Sequence, residues 1–183
     1  MHSLIVGRTE SGKTTLAKIL AAAFVERGKD VAILDPLLDP GWEGTLITKE
    51  PTEFLHYVKT NKGLILFVDE SGSMIGRYNP EMDWLATSSR HMGHSVFFIC
   101  QRAQQISLTI RAQCSKTYLF ASIRQDAEYF ADEYNEPTIL TAPKMSAGEF
   151  YILSSFQQIR KACIDFRTRS VKIVKVGRSI QRA

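Results

Sequence analysis

Ten residues near the start of the chain, VGRTESGKTT from Val6 to Thr15, restrict its fold more than anything else in the sequence. The run fits G-x-x-x-x-G-K-[ST], with Gly7, Gly12, Lys13 and Thr14 at the fixed positions. Glycines let the backbone bend round an anion with no Cβ in the way. Successive N–H groups then point inward at a phosphate, and the following helix presents its positive N-terminus to the same charge. In this reading Gly7, Arg8, Thr9, Glu10, Ser11, Gly12, Lys13, Thr14 and Thr15 cradle a nucleotide. Lys13 reaches the β- and γ-phosphates, and the Thr14 hydroxyl holds Mg²⁺.

The flanks have the pattern such a loop requires. Ser3-Leu4-Ile5-Val6 reads as a short strand. After the loop, Leu16, Ile19, Leu20, Ala23 and Phe24 recur on one helical face, and Gly28 stands where a helix would stop. A second apolar run, Val31–Leu34, ends in Asp35-Pro36, and a third, Leu64–Val68, ends in Asp69-Glu70. The continuous apolar character of the third run predicts a parallel strand buried on both faces. Its carboxylates then fall at the ligand-binding edge of the sheet. Asp69 is expected to hold Mg²⁺ through water, and Glu70 to orient and deprotonate an attacking water. A complete strand, VAILD, separates the phosphate-loop strand from the Asp-Glu strand. That order predicts a P-loop fold of the additional-strand type, as in motor ATPases rather than most nucleotide kinases.

A fourth run, Ser95–Cys100, ends in Gln101-Arg102. An amide at the tip of the strand beside the catalytic one can touch a γ-phosphate or the water, which makes Gln101 the candidate sensor. Arg77, Arg90, Arg102 and Arg111 are the candidates for an arginine finger, a cation that stabilises transition-state charge, often from a neighbouring subunit. Arg90, at the end of the predicted helix PEMDWLATSSRHMG, is the first choice. A helix through Gln104–Arg111 and an outer strand, Lys116–Phe120, follow. His91 and His94 are three apart but have no third metal ligand nearby.

GRTESGKTT, VAILDP, LILFVDES, SSRHMGHSVFFICQR and TIRAQCSKTYLF stand in the order and spacing of the FtsK–HerA superfamily of DNA-pumping ATPases. Over roughly residues 3–122 the chain resembles that superfamily. In its small size it is similar to genome-packaging ATPases of tailless membrane-containing phages and their viral relatives. The resemblance implies ATP and Mg²⁺ as ligands, Lys13 and Thr14 at the nucleotide, Asp69 and Glu70 as the acidic pair, Gln101 as sensor and Arg90 as a finger acting in trans. It also implies a homomeric ring, hexamer or pentamer, that moves double-stranded DNA, with a capsid vertex or portal protein as partner. The site of action would be the host cytoplasm, at the procapsid or virion vertex. Alternatives are a filamentous-phage-type assembly ATPase for single-stranded DNA, or a nucleotide-controlled switch.

Length and charge fit one domain over 1–183, with a motor core (1–122) and a C-terminal helix and basic β extension (123–183). The expected architecture is α/β: a central, mostly parallel sheet flanked by helices, with C-terminal antiparallel strands. IRQDAEYFADEYNEP reads as a helix, and GEFYILSS, RKACIDFR and SVKIVKV as strands. The net charge is +4, but from Gln157 onward eight basic residues face the single acid Asp165. A basic segment on a slightly acidic body suggests a polyanion partner, with nucleic acid first. The loop SGSMIGRYNP is the other candidate DNA surface. Apolar runs are too short for a membrane span, and a strand beginning almost at Met1 leaves no room for a signal peptide. Cys100, Cys114 and Cys163 read as reduced, structural thiols.

Overall fold

The computed structural model describes residues 1–69, 80–155 and 157–174, without the side chains of 80–82. Its strands are β1 (His2–Val6), β2 (Val31–Leu34), β3 (Leu46–Thr48), β4 (Ile65–Val68), β5 (Ser95–Cys100), β6 (Cys114–Phe120), β7 (Glu149–Ser154), β8 (Arg160–Asp165) and β9 (Ser170–Val174). They form one sheet in the order β3-β2-β4-β5-β1-β6-β7-β8-β9. From β3 to β6 every pairing is parallel, and from β6 to β9 every pairing is antiparallel. The expected mixed α/β architecture is present, but the strand between the P-loop strand β1 and the Asp69 strand β4 is β5, whereas β2, which separates the two in sequence, lies on the far side of β4.

The helices are α1 (Lys13–Val25), α2 (Pro51–Thr60), α3 (Pro80–Thr87), α4 (Leu108–Gln113) and α5 (Arg124–Glu133). One apolar layer unites Leu4, Val6, Leu66, Val68, Phe98 and Cys100 with Phe54, Val58, Leu85, Ile110 and Phe130 from α2–α5. The opposite layer unites Ile5, Ile33, Phe67, Phe97 and Ile99 with Leu16, Ala17 and Ala21 of α1. Successive strand residues point to opposite faces, so two covered faces explain why the central strands read as unbroken apolar runs. Phe67 and Phe97 stack across β4 and β5, with centroids 4.6 Å apart. In α1 the buried residues are Lys13, Leu16, Ala17 and Ala21. Ile19, Leu20 and Phe24 pack only partly against the core. The helix ends as read: Gly28 takes φ 70° and donates its N–H to Val25 O at 2.8 Å.

Three segments differ from expectation. The helix read through Arg90 stops at Thr87, and Ser89–Met92 continues as a 3-10 turn ended by Gly93 at φ 82°. The segment read as one helix through Gln104–Arg111 is a 3-10 turn (Ala103–Gln105) and then α4, because Ser107 caps a new start by accepting from the Ile110 N–H at 3.2 Å. The strand β3, the helix α2 and the 3-10 stretch Pro137–Lys144 have no counterpart in the sequence reading. Among the described residues no helix is long and apolar enough to cross a membrane.

Two histidines are built into the sheet's other edge, away from the phosphate loop. His2 Nδ1 accepts the Val96 N–H at 3.1 Å. His94 Nδ1 accepts the Leu64 N–H at 3.1 Å, and its Nε2 lies 3.1 Å from Val58 O. These are structural roles, and among the described residues no group of three or more His, Cys, Asp or Glu could hold a metal. Burial, aided by the N-terminal ammonium, lowers the His2 pKa from 6.5 to about 4, and burial lowers that of His94 as well. Unfolded histidine binds its proton near pH 6.5, whereas folded His2 resists protonation down to about pH 4. Stability should therefore fall as pH drops through that window, by on the order of 2–3 kcal/mol from His2 alone. Denaturant melts at pH 7 and pH 4.5 would show this, and His2→Gln should flatten the dependence.

Candidate active site

The parallel strands all end at one edge, which gathers the predicted residues. The Gly7 N–H points to Cys100 O at 3.4 Å and the Arg8 N–H to Ala121 O at 2.8 Å, so the loop after β1 is slung between the ends of β5 and β6. A Cβ on Gly7 would come within 2.6 Å of Phe120 Cβ. Gly12 takes φ 107°, a conformation that L side chains rarely adopt. Lys13 is buried, and its Nζ donates to Arg8 O at 2.8 Å across the loop's interior. Ser11 Oγ is buried with no hydrogen-bond partner, a hydroxyl left over inside the cradle. The first turn of α1, Thr14 and Thr15 included, offers amides with no carbonyl inside the helix. These features fit a phosphate.

Across from the loop, at the end of β4, Asp69 Oδ2 accepts from Thr14 Oγ1 at 3.0 Å. A hydroxyl and a carboxylate held together beside a phosphate cradle are hard oxygen donors suited to Mg²⁺. Gln101 follows β5 directly, and the Gly7–Cys100 bond places it beside the phosphate loop. Glu70 and Arg77, with the rest of the SGSMIGRYN stretch, lie outside the described residues.

The fold has solved counterparts at low identity. No family model and no curated protein matches the sequence. The chain is similar to the genome packaging NTPase B204 from Sulfolobus turreted icosahedral virus 2 in complex with AMPPCP, with a TM-score of 0.68 at 15% identity over 94% of this chain and 96% of that one. It also resembles the pCW3 conjugation coupling protein TcpA with ATPgS (TM-score 0.66, 14% identity, 85% of this chain and 58% of that one). A third counterpart is the cytoplasmic domain of the Thermomonospora curvata type VII secretion ATPase EccC (0.62, 17%, 87% and 23%). The chain shares its fold with these solved proteins. The resemblance read from the motifs thus holds at the level of fold.

Within this fold the candidate arginines separate. Arg90 is exposed in the 3-10 turn before β5, at the opposite end of that strand from Gln101. Arg102 Nη2 donates to Gln125 Oε1 at 2.9 Å, and the Arg111 guanidinium lies 4.7 Å from the Tyr129 ring centre. Both face α5, where sequence reasoning missed Asp126. This carboxylate is 1% exposed, and the charges of Arg102 and Arg111 and the Ala103 amide act on it. Burial pushes its pKa up while the two guanidiniums pull the other way. Nothing in RQDAEYFADE distinguishes this acid from its solvated neighbours, because its partners come from another part of the chain.

Asp35 belongs to the same edge, but its contacts are structural. Its buried carboxylate accepts from the Leu37 N–H (2.9 Å), the Asp39 N–H (2.7 Å) and Trp42 Nε1 (2.9 Å). The loop it ties is pinned to α1 by a 2.6 Å Lys18–Asp39 ion pair. Cys100 and Cys114 fit their structural reading: both are free thiols, with burial raising the first and pushing the second up to about 12. In the basic segment, Lys161 pairs with Glu149 at 2.7 Å and Lys172 with Asp165 at 3.1 Å. Lys172 lies on the edge strand β9, where a lysine discourages strand-to-strand association.

Proposed function

We propose that the chain hydrolyses ATP to translocate DNA, and that it packages double-stranded viral DNA into a preformed capsid as a homomeric ring, hexameric or pentameric. The observation that carries the reading is the Thr14–Asp69 hydrogen bond, made at 3.0 Å beside the Lys13 loop. It joins a phosphate cradle to a Mg²⁺-type carboxylate on a strand separated from β1 by β5, a hydrolase arrangement rather than that of most nucleotide kinases. Packaging is supported by likeness over nearly the whole of both chains to a viral genome packaging NTPase. That support is an analogy of fold.

Gly7 to Thr15 would bind the phosphates, with Lys13 on the β- and γ-oxygens and Thr14 and Asp69 holding Mg²⁺. The ion supplies charge neutralisation at the phosphates. Glu70 orients and deprotonates the attacking water, Gln101 senses it or the γ-phosphate, and Arg90 completes a neighbour's site. The exposed basic residues near the C-terminus are one candidate DNA surface, and the loop after Asp69 is the other. A procapsid vertex or portal protein in the host cytoplasm would complete the motor.

Steady-state ATP hydrolysis, measured with and without double-stranded DNA at two salt concentrations and several protein concentrations, tests the proposal. The expected result is stimulation by DNA that fades with salt and rises cooperatively with protein. Hydrolysis indifferent to DNA under all conditions, with a procapsid preparation added as well, would favour a nucleotide switch. Stimulation by single-stranded DNA alone would favour an assembly ATPase.

A further inference from the structure

The turn between β8 and β9 lies on the phosphate-loop edge and presents an aromatic ring that hydrolysis itself does not use. Phe166 is 50% exposed. Its outer ring edge lies against Gly148, where an added Cβ would sit 2.8 Å from Phe166 Cε2. Gly148 donates its N–H to Ser11 O at 2.9 Å and accepts from the Ile164 N–H at 2.9 Å. The ring is therefore one residue removed from the phosphate loop. The turn is also well held. Asp165 Oδ1 accepts from the Arg167 and Thr168 amides at 3.1 and 3.2 Å, and Oδ2 takes Lys172 Nζ at 3.1 Å. Arg169, at φ 48°, lines with Thr15 and Lys18 a groove of about 430 Å³ beside α1.

Direction along the sheet decides what the ring can meet. Asp69 and Gln101 lie on one side of β1, at the ends of β4 and β5. The β8–β9 turn lies on the other side, beyond β6 and β7. A nucleotide whose terminal phosphate faces Asp69 and Gln101 has its base directed to the Phe166 side. We propose that Phe166 is the seat of that base, its exposed ring stacking on the purine of a nucleotide held by the loop. The inference rests on the nucleotide-site reading of Gly7–Thr15. A half-exposed phenylalanine offers a π-face that a flat heterocycle can cover, removing apolar surface of both from water.

Calorimetric titration with ADP and, separately, inorganic pyrophosphate tests this without recourse to turnover. Phe166→Ala should weaken ADP binding about 10-fold or more, while pyrophosphate affinity stays within about twofold. Phe166→Tyr, which keeps the ring, should retain ADP affinity. An unchanged ratio of ADP to pyrophosphate affinity in Phe166→Ala overturns the proposal, whether both affinities hold or both fall together. A wild-type protein that binds neither ligand refutes the nucleotide site itself, and the base seat with it. Pyrophosphate binding that Lys13→Ala abolishes upholds the site independently of Phe166.

Discussion

Glu70→Gln should bind ATP as the parent does and hydrolyse it at least ~100-fold more slowly, because the amide cannot take a proton from water. The reasoning is positional. Asp69 ends β4 in hydrogen-bond contact with Thr14, so the metal-type carboxylate is accounted for and the next acid in the chain is left for the water. The two residues should also separate experimentally. Loss of Asp69 would weaken Mg²⁺-dependent nucleotide binding, whereas loss of the Glu70 carboxylate should spare binding and stop turnover. Nucleotide affinity by calorimetry and phosphate release by a coupled assay give the two readouts. Near-normal release by Glu70→Gln would remove Glu70 from the mechanism.

Asp35→Ala is expected to destabilise the protein by about 3 kcal/mol or more, because three donors lose their acceptor at once. Two are backbone amides in a tight loop, and the third is the Trp42 indole, which is 7% exposed and lies 5.8 Å from the Phe67 ring. For a domain of this size that loss corresponds to a fall in Tm of roughly 6–12 °C. Thermal melts followed by tryptophan fluorescence would report it, with a red shift as Trp42 meets water. Asp35→Asn should recover only part of the loss, since an amide presents one acceptor oxygen where the carboxylate uses both. A Tm within about 2 °C of the parent would mean that the loop re-forms without its acceptor.

What the sequence made legible was local in origin. The phosphate loop, β1, β2, β4 and β5 are each announced by a contiguous signal, either a glycine-lysine motif or an apolar run buried on both faces. Placing Asp69 and Gln101 on the loop's edge then needed only the rule that parallel strands end together. What remained illegible depends on long-range pairing. The three residues Leu46–Thr48 are too short and too exposed to show a period, yet they pair with β2 through Ala32, Ile33 and Leu34. Asp126 looks like any helical acid until folding buries it within the influence of Arg102 and Arg111. The strands β7–β9 were readable one by one, but their antiparallel register brings Gly148 to Ser11 and Phe166 to the loop. The sequence therefore showed the basic segment's charge but not that its turn lies beside the phosphate loop.

Arg90 and Gln101 stand at opposite ends of β5, whose six residues span roughly 16–20 Å. A cation at the first end is out of reach of a phosphate at the other end of the same molecule. If Arg90 completes a site, one subunit's lower edge must meet the next subunit's upper edge. In the proposed ring such contacts are heterologous: each copy gives one surface and receives a different one. In a head-to-tail arrangement an unclosed chain of copies would always end in one idle site. In such a ring every site is complete only once it closes, so that the count of subunits is fixed by the angle between neighbours rather than by the strength of any single contact.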